Sequence, residues 1–277
     1  MVRVGLVGCG TIGSQLARAI QRDYRHAARI IALNDCNPER AASLQRQLAG
    51  RPRICSLPVL IRHSDLVLEA ASADVSADVV TRCLRVHRDV LVMSVGGLLG
   101  NRTWRRLTRR SRGRVYIPSG ALAGIDGVKA MAVGTIRRIS LTTRKPPRAL
   151  SAAPYVQRRH LRLSRLRRRS VVFEGTPRDV VRAFPQNTNV AAALALALRR
   201  GGLGQASGAA ASRARIRVVA DPMIRSNVHE LDAEGDCGRV HCRIQSRPSA
   251  NPKTSEIAVR SAIATLQRIF DPVSIGT

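Results

Sequence analysis

Apolar and polar positions along the first 120 residues alternate between two periods. The run VRVGLVG (2–8) is apolar and β-branched and stops at glycine, which predicts a strand buried on both faces. Ile12, Leu16, Ala19 and Ile20 then recur at helical spacing. RIIALND (29–35) predicts a second strand, and NPERAASLQRQL (37–48) a helix with an Asn cap, a first-turn proline and Gly50 beyond its end. The alternation goes on through a strand at 65–72, a helix at 76–87, a strand at 89–97, a basic helix at 101–112 and a strand at 114–120. Repeating βα units of this length predict a Rossmann-type, doubly wound parallel sheet over residues 1–120.

Beyond residue 120 the pattern changes. An alternating strand at 134–147 stops at the double proline, and a short strand follows at 170–176. Residues 177–200 read as a helix interrupted near Pro185, and 213–222 as a strand. The stretch SNVHELDAEGDCGRVHC (226–242) reads as a hairpin turning at Glu234, Gly235 and Asp236. Residues 199–215, rich in Gly, Ala and Ser, read as a surface loop. The expectation is an α+β domain of antiparallel strands over 121–252, serving substrate binding and dimerisation. A last helix within 253–277 returns to the first domain.

The first turn carries recognisable chemistry. Gly8, Gly10 and Gly13 fit G-x-G-x-x-G between the first strand and the first helix. The three glycines allow, in turn, a tight turn, approach of a pyrophosphate to the backbone, and close packing of helix on strand. Thr11 and Ile12 open the helix whose amides would face the phosphates. Asp35, at the end of the second strand, is placed to bond the adenosine ribose hydroxyls. It favours NAD over NADP, because a carboxylate repels a 2′-phosphate, although the nearby Arg40 softens that preference. Ligands of such sheets sit beyond the strand C-termini, which makes the loops EAASADV, SVGG and PSGALAG the expected cofactor side.

Composition narrows the field further. No apolar run approaches the roughly 20 residues of a membrane span, the N-terminus is unlike a signal peptide, and a cytoplasmic, soluble protein is expected. Six cysteines without a CxxC pair or a zinc-like spacing are expected to be reduced, mostly buried thiols, and no metal is expected. All but three of the 47 basic residues are arginine, and the formal net charge is +29. The densest run, 157–170, lacks the interleaved aromatics that stack bases, so specific nucleic-acid binding is not expected.

GLVGCGTIG, IPSGALAGIDGVKA, LTTRKPP, VFEGTPRDVVRAFPQNTNVAAALALA, VVADPMIRSNVHELDAEGDCGRVHCRI and NPKTSEIAVRSAIATL occur in this order along almost the whole chain. Together they resemble the L-aspartate dehydrogenase family. The resemblance implies NAD- or NADP-dependent oxidative deamination of L-aspartate through iminoaspartate to oxaloacetate and ammonia, serving NAD biosynthesis, by a homodimer. It implies His229 of the Asn-x-His-Glu motif as catalytic, and Ala121 and Asn189 as cofactor contacts. Two stretches depart from the family pattern: 147–171, which is Arg-rich, and the loop at 199–215, which is longer than usual.

The residues themselves leave alternatives. A histidine near neutral pKa serves proton transfer to and from an amine or a water. His229 is the candidate and His241 its structural neighbour, while His26, His63, His87 and His160 lie at helix ends or charged surfaces. Asn189 orients the nicotinamide or caps a helix. A dicarboxylate calls for cations, and Arg144, Lys145 and Lys253 lie in the matched motifs. Competing readings are another NAD(P)-dependent oxidoreductase of an amino acid, imine or semialdehyde, and a non-catalytic NAD(H)-binding protein with an anionic partner.

Overall fold

Six parallel strands and five form two separate sheets. In the computed structural model the described residues are 1–185, 189–198, 213–247, 255–273 and 275–276. Internal contacts divide the chain into a first unit, Met1–Pro118 with Val259–Ile275, and a second built on Ser119–Ala258.

In the first unit, β1 (Val2–Val7) lies between β2 (Ala28–Asn34) and β4 (Leu66–Glu69). β3 (Arg53–Ile54) extends one side, and β5 (Asp89–Val92) and β6 (Val115–Tyr116) the other, giving the order β3-β2-β1-β4-β5-β6. All pairs are parallel. The connecting helices are α1 (Thr11–Asp23), α2 (Pro38–Gln47), α3 (Leu57–His63), α4 (Ala73–Arg85) and α5 (Thr103–Thr108). α1 buries Leu16, Ala17 and Ile20 on a core that also takes Ala262 and Leu266 of the C-terminal helix. α2 starts as its sequence predicts, with Asn37 Oδ1 accepting from the amides of Glu39 and Arg40. β3 and α3 are additions to the expected pattern, too short for a periodicity to show.

In the second unit the described helices are α6 (Ile125–Met131), α7 (Pro147–Leu150), α8 (Pro154–Arg158), α9 (Pro177–Ala183) and α10 (Asn189–Ala197). The strands are β7 (Ile136–Lys145), β8 (Ser170–Gly175), β9 (Arg215–Ala220), β10 (Asn227–Gly235) and β11 (Gly238–Ser246). Their order is β11-β10-β7-β9-β8. The expected all-antiparallel sheet is corrected to a mixed one, since β7 and β9 run parallel. The chain leaves β7 through α7, α8, β8 and the α9–α10 pair before β9, a crossover long enough to return in the same direction. α9 begins with a capping box between Thr176 and Asp179. The hairpin turn falls at Asp236 and Cys237, one residue later than expected, with Gly235 opposite Gly238. Residues 199–212 of the expected surface loop lie outside the described residues. The C-terminal helix is Glu256–Phe270.

One expectation about polar chemistry changes. Cys9 and Cys83 are buried, but Cys36 and Cys237 are exposed and Cys55 and Cys242 half-buried, because turns and an edge strand carry them. Carboxylates are shared: Asp65 binds Arg3 and Arg88, Glu174 binds Arg215 and Arg217, and Glu230 binds Arg144 and Arg243. Among the described residues no helix is long and apolar enough to cross a membrane, and no group of three or more His, Cys, Asp or Glu is arranged to hold a metal.

Phe184, fully buried, meets Tyr155 and Phe173 with ring centroids 5.7 Å away in each case. Phe184→Ala should destabilise the protein by about 3–5 kcal/mol in urea unfolding, since the three-ring cluster leaves a cavity that rigid neighbours do not refill. A loss below about 1 kcal/mol would show that the cluster collapses.

Candidate active site

The glycine turn of the first unit is built for close approach. Gly8 has φ +95°, and a Cβ there would strike the Ala70 backbone. A Cβ at Gly13 would run into the Gly8 carbonyl, so Gly13 is what lets α1 lie against the turn. Gly10 differs, because a Cβ there would meet nothing within 4 Å. Space stands open over its backbone, and no side chain caps α1, whose first residues are Thr11 and Ile12. Asp35 closes the other side. Its carboxylate accepts from the Cys9 amide at 2.6 Å and from the Asn37 amide at 2.7 Å, which joins the end of β2 to the glycine turn. These features fit a dinucleotide: amides and helix dipole for the pyrophosphate, a carboxylate for the ribose.

Glu69, the last residue of β4, was missing from the expected site. It is fully buried, and it accepts from the amides of Ala71 at 2.9 Å and Ser94 at 3.0 Å, tying together the loops after β4 and β5. Burial pushes its pKa up against those bonds. A carboxylate inside the apolar run DLVLEA was the available signal.

In the second unit the pleat of β7 sorts the candidates. Leu141, Thr143 and Lys145 occupy the buried face, and on β10 Asn227, His229, Leu231 and Ala233 are buried. Thr143 stands opposite His229 in the ladder, and the two share a hydrogen bond of 3.1 Å between Oγ1 and Nδ1. The other ring nitrogen has no partner among the described residues. His229 is 3% exposed and Lys145 4%, at the end of a face where Thr143 and Asn227 are the other buried polar groups and Leu141, Leu231 and Ala233 continue it. Burial first, and then the charge of Lys145, lower the His229 pKa to about 3. Burial lowers that of Lys145 to about 8. His229 is therefore neutral near pH 7, unlike the near-neutral histidine expected from sequence.

Arg144 points to the other face. It binds Asp221 at 2.8 Å and Glu230 at 3.4 Å. His241 is opposite Asp232 in the hairpin, and its Nδ1 lies 2.7 Å from the Asp232 carboxylate, with 60% of the side chain exposed. Ala121 is buried in the core of the second unit, and Asn189 is the exposed first residue of α10. Lys253 lies outside the described residues. The glycine turn and Asp35 thus belong to the first unit, and Ala121, Asn189, Lys145 and His229 to the second.

A family model described as "Aspartate dehydrogenase, C-terminal" matches residues 126–269, and one described as "Homoserine dehydrogenase, NAD binding domain" matches 8–118. An L-aspartate dehydrogenase of Methanosarcina barkeri is 39% identical, with both chains covered in full. The chain belongs to the L-aspartate dehydrogenase family. Another L-aspartate dehydrogenase, from Methanocella arvoryzae, is 36% identical over the whole of both chains. The crystal structure of aspartate dehydrogenase from Thermotoga maritima superimposes with a TM-score of 0.71 over all of both chains, at 20% identity, and shows the shared fold.

The depressed pKa of His229 has a consequence for stability. Between pH 6.5 and about 3 the unfolded chain protonates this histidine and the folded chain does not. Stability is therefore intact above pH 6.5 and falls as pH drops through that window, by about 1.4 kcal/mol per pH unit. His229→Gln should flatten the pH dependence of unfolding free energy by that slope between pH 6 and 4. Parallel slopes in the two proteins would mean that the folded histidine protonates normally.

Proposed function

We propose that this chain catalyses NAD(P)-dependent oxidative deamination of L-aspartate, through iminoaspartate, to oxaloacetate and ammonia. The observation that carries the reading is the buried Thr143–His229 pair beside Lys145, within a chain of this family whose other unit has an open glycine turn. On this reading the first unit binds the dinucleotide through Gly8, Gly10, Thr11, Ile12, Gly13 and Asp35. The second carries the substrate chemistry, and Ala121 and Asn189 are its proposed cofactor contacts. When bound, the oxidised dinucleotide accepts the hydride from the substrate Cα.

His229 is the catalytic residue of this proposal. Thr143 fixes one ring nitrogen, so the imidazole holds a defined orientation and offers the other to the substrate or to the water that attacks the imine. We assign Arg144 a supporting role, because its guanidinium is already engaged by Asp221 and Glu230. Lys253 remains the candidate for a substrate carboxylate. The reading includes a homodimer in the cytoplasm and a supply of iminoaspartate to NAD biosynthesis.

Reduced-cofactor absorbance with L-aspartate, other amino acids and homoserine, each with NAD and NADP, tests the proposal. Turnover should be greatest with L-aspartate, and turnover of another substrate in its absence would replace the reading. His229→Ala should lower kcat/KM by about 10²-fold, the usual cost of misplacing a substrate or an attacking water. Asp35→Ser should weaken NAD by roughly 10–100-fold, the worth of bonds to a charged acceptor, and move preference towards NADP. An unchanged cofactor ratio would remove Asp35 from the ribose site.

A further inference from the structure

The reaction proposed above needs more than His229. An amino acid arrives as an ammonium, and Cα is oxidised only once the nitrogen has a free electron pair to form the C=N bond. Some group must first take a proton. The acceptor works best when its own pKa lies near the operating pH. An imidazole lowered to about 3 is a weak acceptor for an ammonium proton, although a good hydrogen-bond partner.

Lys145 shares the buried face that holds His229. It is two residues beyond Thr143 on the same face of β7, and Thr143 is opposite and bonded to His229. Its charge is felt at the imidazole. The strand on its other side, β9, places Ala220 opposite Lys145 and Val218 opposite Thr143. α10 contains no titratable residue, its sequence being NVAAALALA. Of the charged groups on the adjoining strands, Arg144 and Glu230 are bonded to each other on the opposite face, with Asp221 joined to Arg144. His229 is a titratable group that β10 brings to the face of Lys145, whose charge acts on it. Burial brings Lys145 itself to about 8, within reach of the neutral form.

We propose that Lys145 Nζ is the base that removes the proton from the substrate α-ammonium, while neutral His229 positions the nitrogen and the later water. The proposal rests on the aspartate-oxidation reading. In the step, one N–H bond of the ammonium breaks and an Nζ–H bond forms, and the released pair stays on the substrate nitrogen. That pair becomes the second bond of C=N as the Cα–H pair leaves for the oxidised nicotinamide, so the substrate loses two electrons and the nicotinamide gains them. Lys145 then returns its proton to solvent.

The pH profile of kcat/KM for L-aspartate oxidation tests this, because it reports groups of the free enzyme. Wild type should lose activity below an apparent pKa near 8, since the protonated amine cannot accept a proton. Lys145→Arg keeps a cation and removes the base, so kcat should fall about 10²–10⁴-fold. Lys145→Ala should lose the acidic limb at 8, and added methylamine or ethylamine should restore rate in proportion to the neutral amine present. This second variant decides the matter if the arginine fails to fold, which circular dichroism would report. An active Lys145→Arg, or a Lys145→Ala that changes KM alone and keeps the limb, would make Lys145 a carboxylate clamp and overturn the assignment while aspartate oxidation stands. Wild type inert on aspartate would overturn both.

Discussion

The pleat of β7 is the constraint on which the second unit's chemistry depends. Side chains of successive residues on a strand leave opposite faces, so Arg144 and Lys145 are separated although they are adjacent in sequence. Arg144 goes to the face where Asp221 and Glu230 bind its two terminal nitrogens. Lys145 goes to the buried face that also holds Thr143 and His229. A slip of one residue in the pairing with β10 would either exchange the two cations or send His229 to the other face. The hydrophobic register, Leu141 opposite Leu231 and Ile139 opposite Ala233, prevents that slip. Core packing and site geometry are therefore one problem, solved by the same ladder.

The first unit uses backbone where the second uses side chains. Its contribution is a shaped turn in which Gly8 and Gly13 give steric room within the protein, and Gly10 leaves room outside it. The buried Glu69 and the Asp35 carboxylate hold the surrounding loops through main-chain amides. A site framed this way depends little on side-chain rotamers, which suits a large ligand bound along its length.

Local motifs were legible in the sequence because their mechanism is local. The glycine turn, Asp35 and the Asn37 cap each work within a few residues or at a fixed distance along one βα unit. The parallel pairing of β7 with β9 was not legible, since it follows from a long crossover rather than from either strand. Nor was the meeting of Thr143, Lys145 and His229, which requires the register between strands some 86 residues apart. His229 was singled out by its family motif. The physical distinction from His241 came from the pleat, which buries one imidazole and leaves the other bound to Asp232 at the exposed edge.

The sharing of carboxylates has a consequence for how this sequence tolerates change. With 18 acidic residues against 47 basic ones, acids are the scarce component. Loss of one arginine from the pair on Asp65 or Glu174 leaves the acid with its other cation. Loss of the acid strands two guanidinium groups at once. Mutational drift should therefore pass easily through the arginines and be checked at a small number of aspartates and glutamates, whose positions carry more of the surface's electrostatic order than their number suggests.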